Sequence, residues 1–257
     1  MSTVLRDAFS VTRFSFWTGV LLSSVVGTLA YLVTAGSIES DVRARFLNDA
    51  KYVQSVINVR VKSYTDLLRA TRSMIKSSDV LTHSQFHEYV RGLEVPLNFP
   101  AVDYINFAVY VPEYRHKAFV SDMRADVAHI LGKRTELDIR PPGPRPSYLV
   151  VRFIEPDAPS ASLYGVDLMA NPYFGTQLLE ARDQDKLYAG GSPIAILSRP
   201  NNIYLGMRTP VYRSGTRLDT LEQRRAAYIG SLGVAISVSK LLHGVSDEMS
   251  DTACAMR

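Results

Sequence analysis

The chain has 257 residues, of which 46% are hydrophobic and 21% charged; that is enough apolar material for one large domain or two small ones, and too much for a disordered chain. Lys and Arg number 29 against 25 Asp and Glu, a formal net charge of +4, and the basic residues are scattered rather than gathered in a stripe, which argues against a nucleic-acid partner. The one cysteine, Cys254, rules out an internal disulfide and a thiolate metal cluster.

After residues 1–13, with Arg6 and Arg13, the stretch Phe14 to Ala35 carries no charge. About 20 such residues, rising 1.5 Å each, cross a hydrocarbon core of roughly 30 Å, so 14–35 reads as a transmembrane helix. Its apolar run exceeds the roughly 7 to 15 residues of a signal-peptide core. Basic residues before it and Glu39 and Asp41 after it place the N-terminus in the cytoplasm and the remainder outside, in the periplasm or beyond the plasma membrane. Trp17 and Tyr31 lie near its two ends, where interfacial aromatics belong.

From Ile38 through Val42, Phe46, Ala50, Val53, Ile57, Val61, Tyr64, Leu68 and Thr71 to Ile75, apolar positions recur every three or four residues, with neither Pro nor Gly between Ser37 and Ser78. This pattern predicts a long stalk helix over 36–78 whose stripe packs on its own domain, on a second copy of the chain, or on both. A homodimer through the stalk is therefore expected.

Strand and helix signals alternate through 79–245. Thr82 or Ser84 can cap a short helix to Leu93, and Tyr104 to Val111 reads as a buried strand. Pro112 suits the first turn of a helix to Leu131, and the prolines of Arg140 to Pro146 require an exposed loop. Tyr148 to Ile154 is the next strand, and Pro172 opens a helix through Asp183. A Gly-Gly-Ser turn and strands at Ile194 to Leu197, Ile203 to Tyr212 and Ala227 to Val238 follow, with Ser239 as cap of a last short helix. Short connections between the late strands make this an antiparallel α+β fold.

The order of segments from Phe86 to Leu242 resembles the CHASE domain family of extracellular sensory modules. The resemblance rests on Phe86, Tyr89 and Val90; Asn106 to Val111 with Pro112; Phe119 and Arg124; Tyr148 through Phe153-Ile154-Glu155-Pro156; and Gly165-Val166-Asp167-Leu168. It continues in Asn171-Pro172, Leu179, Ala181-Arg182, Ser192-Pro193, Leu205-Gly206, Pro210-Val211-Tyr212 and Gly230 through Gly233. Thr220 to Arg224, with Ala226 and Ala227, is similar to the plant cytokinin receptors of the family. The resemblance implies a stalk helix followed by two PAS-like antiparallel subdomains. It also implies a tail, 246–257, leading to a second transmembrane helix and the output domain of a histidine kinase or diguanylate cyclase. In this reading the chain is a sensor, without catalytic residues, metal or cofactor, that takes a small-molecule ligand.

The resemblance also points to ligand contacts. Asp167 matches an Asp that meets the purine in cytokinin receptors; a capping or turn role for it is the alternative. Gly190 and Gly191 match a place where backbone approaches the ligand, or form an ordinary turn, and Tyr148 is carried over as a further contact. Arg208 and Thr209 depart from the plant pattern, which has Thr and an aromatic residue before Pro-Val-Tyr. A guanidinium on the pocket wall suits an anionic metabolite better than an adenine-type, cytokinin-like ligand, unless Arg208 faces solvent.

Enzyme readings find little support. His83 and His87 stand four apart on a predicted helix and could share a metal, but no third ligand of suitable spacing is visible. No Gly-x-Ser-x-Gly elbow occurs. Glu113 and Glu155 each adjoin a proline, and nothing in the sequence brings them together. A membrane-anchored interaction or scaffold protein without a small ligand is the alternative to the sensor.

Overall fold

The computed structural model describes residues 4–78, 80–131, 137–190 and 203–244. The predicted strand Ile194 to Leu197, Gly191, and the tail 246–257 lie outside the described residues. The chain divides into two compact units, Met1–Ile57 and Asn58–Arg257. Helix α1, Val4–Ser77, supplies the described residues of the first unit and the first residues of the second. Within α1, Phe16–Thr34 is a 19-residue stretch long and apolar enough to cross a membrane.

The second unit is α+β. In chain order it contains the end of α1, α2 (His83–Gly92), α3 (Val95–Asn98), β1 (Val102–Pro112), α4 (His116–Leu131), β2 (Ser147–Glu155), α5 (Asp157–Ser160), α6 (Pro172–Gln184), β3 (Tyr188–Ala189), β4 (Tyr204–Tyr212), α7 (Leu221–Ala227) and β5 (Tyr228–Ser237). Residues 238–244 form a last helix, α8. As the α+β reading expected, the strands are antiparallel, and those of the described residues join one sheet in the order β2-β1-β5-β4-β3. Each face of this sheet carries a core.

One core draws Ile105, Phe107, Met207, Leu232, Val234 and Ile236 of the strands onto Tyr64, Leu67, Leu68 and Ile75 of α1 and Phe86 and Val90 of α2. The stalk stripe thus divides: its C-terminal part is buried against the sheet, whereas Val42 and Phe46 are 61% and 69% exposed. The second core joins Ala108, Tyr148, Val150, Tyr212 and Tyr228 with Phe119, Met123 and Val127 of α4 and Leu178 of α6.

Local chemistry accounts for the element ends. Thr82 accepts from the Gln85 backbone N–H while the Gln85 side chain returns to the Thr82 N–H, and Thr220 and Gln223 repeat this capping box before α7. Asn171 caps α6, with Pro172 in its first turn. Two expectations shift. Pro112 ends β1 instead of opening a helix, and a 3₁₀ turn, Glu113–Arg115, precedes α4. Pairing with β5 runs only from Val102 to Val109, so at Pro112 the strand has one open edge and the missing N–H costs no ladder bond. Ser237, not Ser239, caps α8: its hydroxyl accepts from the Lys240 N–H at 3.4 Å, because β5 runs to Ser237 and helix follows at once.

Leu68 is completely buried between α1 and the sheet. Leu68→Ala should therefore lower stability by about 2–5 kcal/mol, whereas Tyr114→Ala, at a side chain 86% exposed, should change it by less than about 0.5 kcal/mol. Denaturant unfolding of the full chain in detergent micelles checks both.

Candidate functional site

One row of residues crosses all five strands: Tyr188 on β3, Arg208 on β4, Gly233 on β5, Asn106 on β1 and Ile154 on β2. Residues in register share a face of the sheet. On this face β5 presents only small side chains, at Ser231, Gly233 and Ala235, and Gly206 of β4 pairs with Ala235. The result is a strip of low side-chain volume along β5, the β5 trough, which is itself covered: Ser231 and Ala235 are each 2% exposed. Tyr104, which pairs with Ala235, and Tyr188 stand at its sides.

Arg208 lies along this floor and is only 5% exposed. Its Nη1 donates to Asn106 Oδ1 at 2.8 Å, its Nε to Ser231 Oγ at 3.1 Å and its Nη2 to the Ser231 carbonyl at 2.6 Å. To reach Asn106 the guanidinium must cross β5, which it does over Gly233; a Cβ there would sit 2.4 Å from Nη1. A guanidinium has five N–H donors, and those three bonds use three. Among the described residues no carboxylate pairs with it, and two N–H groups have no acceptor. Burial pushes its pKa down to about 10, so it stays a cation at neutral pH. Burial also pushes Tyr104 up to about 12, against the pull of the Arg208 charge, and raises Tyr228, so both phenols remain neutral donors.

Thr209, the next residue along, faces the opposite side of β4, where it accepts from Arg72 Nη1 of α1 at 3.3 Å. Arg72 also pairs with Asp185 at 3.0 Å, just past α6. Gly190 adjoins this region, its N–H donating to the Gly206 carbonyl at 2.8 Å.

Asp167 and Tyr148 belong elsewhere. The Asp167 carboxylate accepts from the N–H groups of Leu149 (2.9 Å) and Met169 (3.0 Å) and from Arg145 Nη1 (3.2 Å), capping a 3₁₀ turn at Leu168–Ala170. The Tyr148 hydroxyl donates to Glu113 at 2.5 Å and accepts from the Arg145 N–H at 3.0 Å. Tyr148 sits on β2, three strands from Arg208 and six residues along from its row, so about 14 Å separates them across the strands alone. The structure therefore joins Arg208 with Gly190, and Asp167 with Tyr148, but does not join the two pairs. Sequence reasoning missed Asn106, Ser231 and Gly233 as partners of Arg208; the alternation of small and large residues along 228–237 is the signal that could have pointed to them.

Glu113 and Glu155 lie at opposite ends of the antiparallel β1–β2 pair and form no pair with each other. His87 instead contacts Glu155, and His83 contacts Asp157.

The profile of the CHASE domain matches residues 79–255. The chain belongs to this family of extracellular sensory domains, a class that senses rather than catalyses. No curated protein matches the sequence. Among solved structures, the ligand-binding domain of the Pseudomonas aeruginosa PAO1 amino acid chemoreceptor PctC, in complex with GABA, shares 13% identity at a TM-score of 0.35. The match covers 74% of this chain and 58% of that one, a likeness too slight to carry anything over.

If the guanidinium lies over Gly233, the two positions are coupled. Gly233→Ala should cost about 1–3 kcal/mol through overpacking, and much less in an Arg208→Ala background. A double-mutant cycle read by melting should give about 1–3 kcal/mol of interaction; additive effects would place the guanidinium elsewhere.

Proposed function

We propose that this chain is the extracytoplasmic sensory region of a membrane-bound receptor of the histidine kinase or diguanylate cyclase type. In this reading it binds a small ligand bearing an anionic group over the β5 trough. The observation that carries the proposal is Arg208, a buried cation that among the described residues has no carboxylate partner and keeps two N–H groups still to donate. A buried charge lacking a counterion is costly, and a ligand carboxylate or phosphate would offset that cost through a bidentate bond. The tyrosines beside it supply the apolar walls and the few polar groups typical of small-molecule pockets.

Arg208 and Thr209 sit back to back on β4, so a ligand that moves the first acts on a strand whose other side is bonded to Arg72 of α1. In the proposed receptor, Phe16–Thr34 of the same helix spans the plasma or inner membrane, and α1 carries the signal. A ligand shifts such an element only through different affinities for its two states, typically 1–3 kcal/mol of coupling. Asp167, with its carboxylate already bonded three times, positions the corner between β2 and the 3₁₀ turn.

The test is a thermal-shift screen of the full chain against small carboxylates, phosphates and neutral purines. An anionic ligand at 100 times its dissociation constant should add about 2.7 kcal/mol. Arg208→Met should weaken binding about 10- to 150-fold, the loss of a charge-assisted contact of roughly 1.5–3 kcal/mol. Asp167→Asn should melt lower yet keep the shift. An equal shift in Arg208→Met, or a response to neutral purines alone, would overturn this site; no response to any compound would favour an anchored interaction protein.

Val42 and Phe46 are exposed on the stalk, which supports a homodimer. Single cysteines along positions 42–61 should then crosslink with a period near 3.6 residues, and uniform or absent crosslinking would count against pairing.

A further inference from the structure

A second cluster of chemistry lies away from the trough, where α2 meets the end of β2. His83 and His87 are four residues apart on α2 and therefore share one face of the helix. Opposite them the chain turns from β2 into α5 and presents Glu155 and Asp157. His83 Nε2 lies 3.2 Å from Asp157 Oδ2. One ligand atom from each of His83, Glu155 and Asp157 falls within 4.8 Å of the others. Four ligands around a zinc ion at about 2.0–2.2 Å stand about 3.3–3.6 Å apart, so a modest contraction brings these three into coordination.

The surroundings hold the three side chains in place. The His83 ring stacks on Phe153, with centroids 6.3 Å apart and planes at 19°. Tyr164 donates to Asp157 Oδ1, leaving Oδ2 for the cluster. His87 Nδ1 contacts Glu155 Oε1, and its distance to Asp157 Oδ2 is 3.9 Å. Such outer partners fix the orientation of metal ligands and tune their basicity. Glu155 is 8% exposed, so two carboxylates share a largely dry corner, a repulsion that a dication relieves. A cleft of about 410 Å³ lined by His87, Glu155, Pro156, Arg91, Asp103 and Lys240 reaches the cluster from solvent; of its two cations, Lys240 is already paired with Asp103 at 2.6 Å.

We propose that His83, Glu155 and Asp157 form a binding site for a divalent transition cation of the zinc class, with His87 holding Glu155 in position. One imidazole and two carboxylates suit a borderline ion such as Zn²⁺, whereas Mg²⁺ and Ca²⁺ favour all-oxygen sites. Three protein ligands leave a coordination position for water or for a group arriving through the cleft. The bound ion would clamp α2 to the β2–α5 corner.

The test uses the chelator-treated full chain in detergent micelles, titrated with Zn²⁺ by calorimetry and followed by melting, with Mg²⁺ and Ca²⁺ as comparison ions. One Zn²⁺ should bind per chain and raise the melting temperature, and the comparison ions should do neither. His83→Gln and Asp157→Asn, each first shown by metal-free melting to be folded, should lower affinity at least 100-fold. His87→Gln should lower it about 10- to 100-fold, as outer-partner substitutions do. Arg208→Met should bind Zn²⁺ like the parent, which keeps this site independent of the ligand trough. The proposal fails if the parent shows no saturable Zn²⁺ binding, or if His83→Gln and Asp157→Asn bind as tightly as the parent; the four side chains are then a hydrogen-bonded cluster only.

Discussion

A guanidinium can lie flat across a β-sheet only where the strand beneath it has no side chain, and much of this domain's arrangement follows from that requirement. Arg208 starts on β4 and finds its acceptor, Asn106, on β1, with β5 between them. Gly233 opens the way, and Ser231 on the same strand supplies both a hydroxyl and a carbonyl to the cation. Three central strands are thereby tied by one side chain on the face away from α1. Burial alone would make such a charge a liability. Hydrogen bonds to Asn106 and Ser231 satisfy part of it, and among the described residues two N–H groups are left for the proposed anionic ligand.

The opposite face has a different logic. There Leu232, Val234 and Ile236 of β5 meet α1 and α2 in an apolar core, and polar contacts such as Arg72 with Thr209 lie toward its margin. Because the strand has period two, the same ten residues serve both faces without compromise. The cluster of His83, His87, Glu155 and Asp157 sits apart from either function, at a junction of secondary structure where α2 is joined to the sheet by polar contacts as well as by Phe86 and Val90.

Much of this was legible in the amino-acid order, and the part that was not has a physical cause. Helical periodicity marked the stalk, and Thr82 and Pro172 marked two helix starts, because capping and proline geometry act within a few residues. The proline-rich loop was readable for the same reason. Contacts set by strand register were not: Arg208 meets Asn106 across 102 positions, and no local signal records that pairing. The metal-type cluster was half visible, as a histidine pair without a third ligand, since Glu155 and Asp157 come from 68 to 74 positions away. Helix α7 has seven residues, too few for a periodic pattern to stand out. Pro112 misled because its role depends on whether a neighbouring strand reaches it.

The alternation along β5 also bears on how such a sensor could change its preference over time. Core volume is carried by positions 232, 234 and 236, and the depth of the trough by 231, 233 and 235. In the second set a larger side chain meets a covered surface: Ser231 and Ala235 are each 2% exposed, Ala235 packs in a cluster with Tyr204, and the room over Gly233 is taken by the guanidinium. In the proposed receptor, substitutions at Ser231 and Ala235 would therefore reshape the ligand's surroundings at a cost in stability, while Gly233 is what lets Arg208 reach Asn106. One strand thus serves two layers on separate registers, so that in the proposed receptor the layer near the ligand could change while the layer against α1 is inherited unaltered.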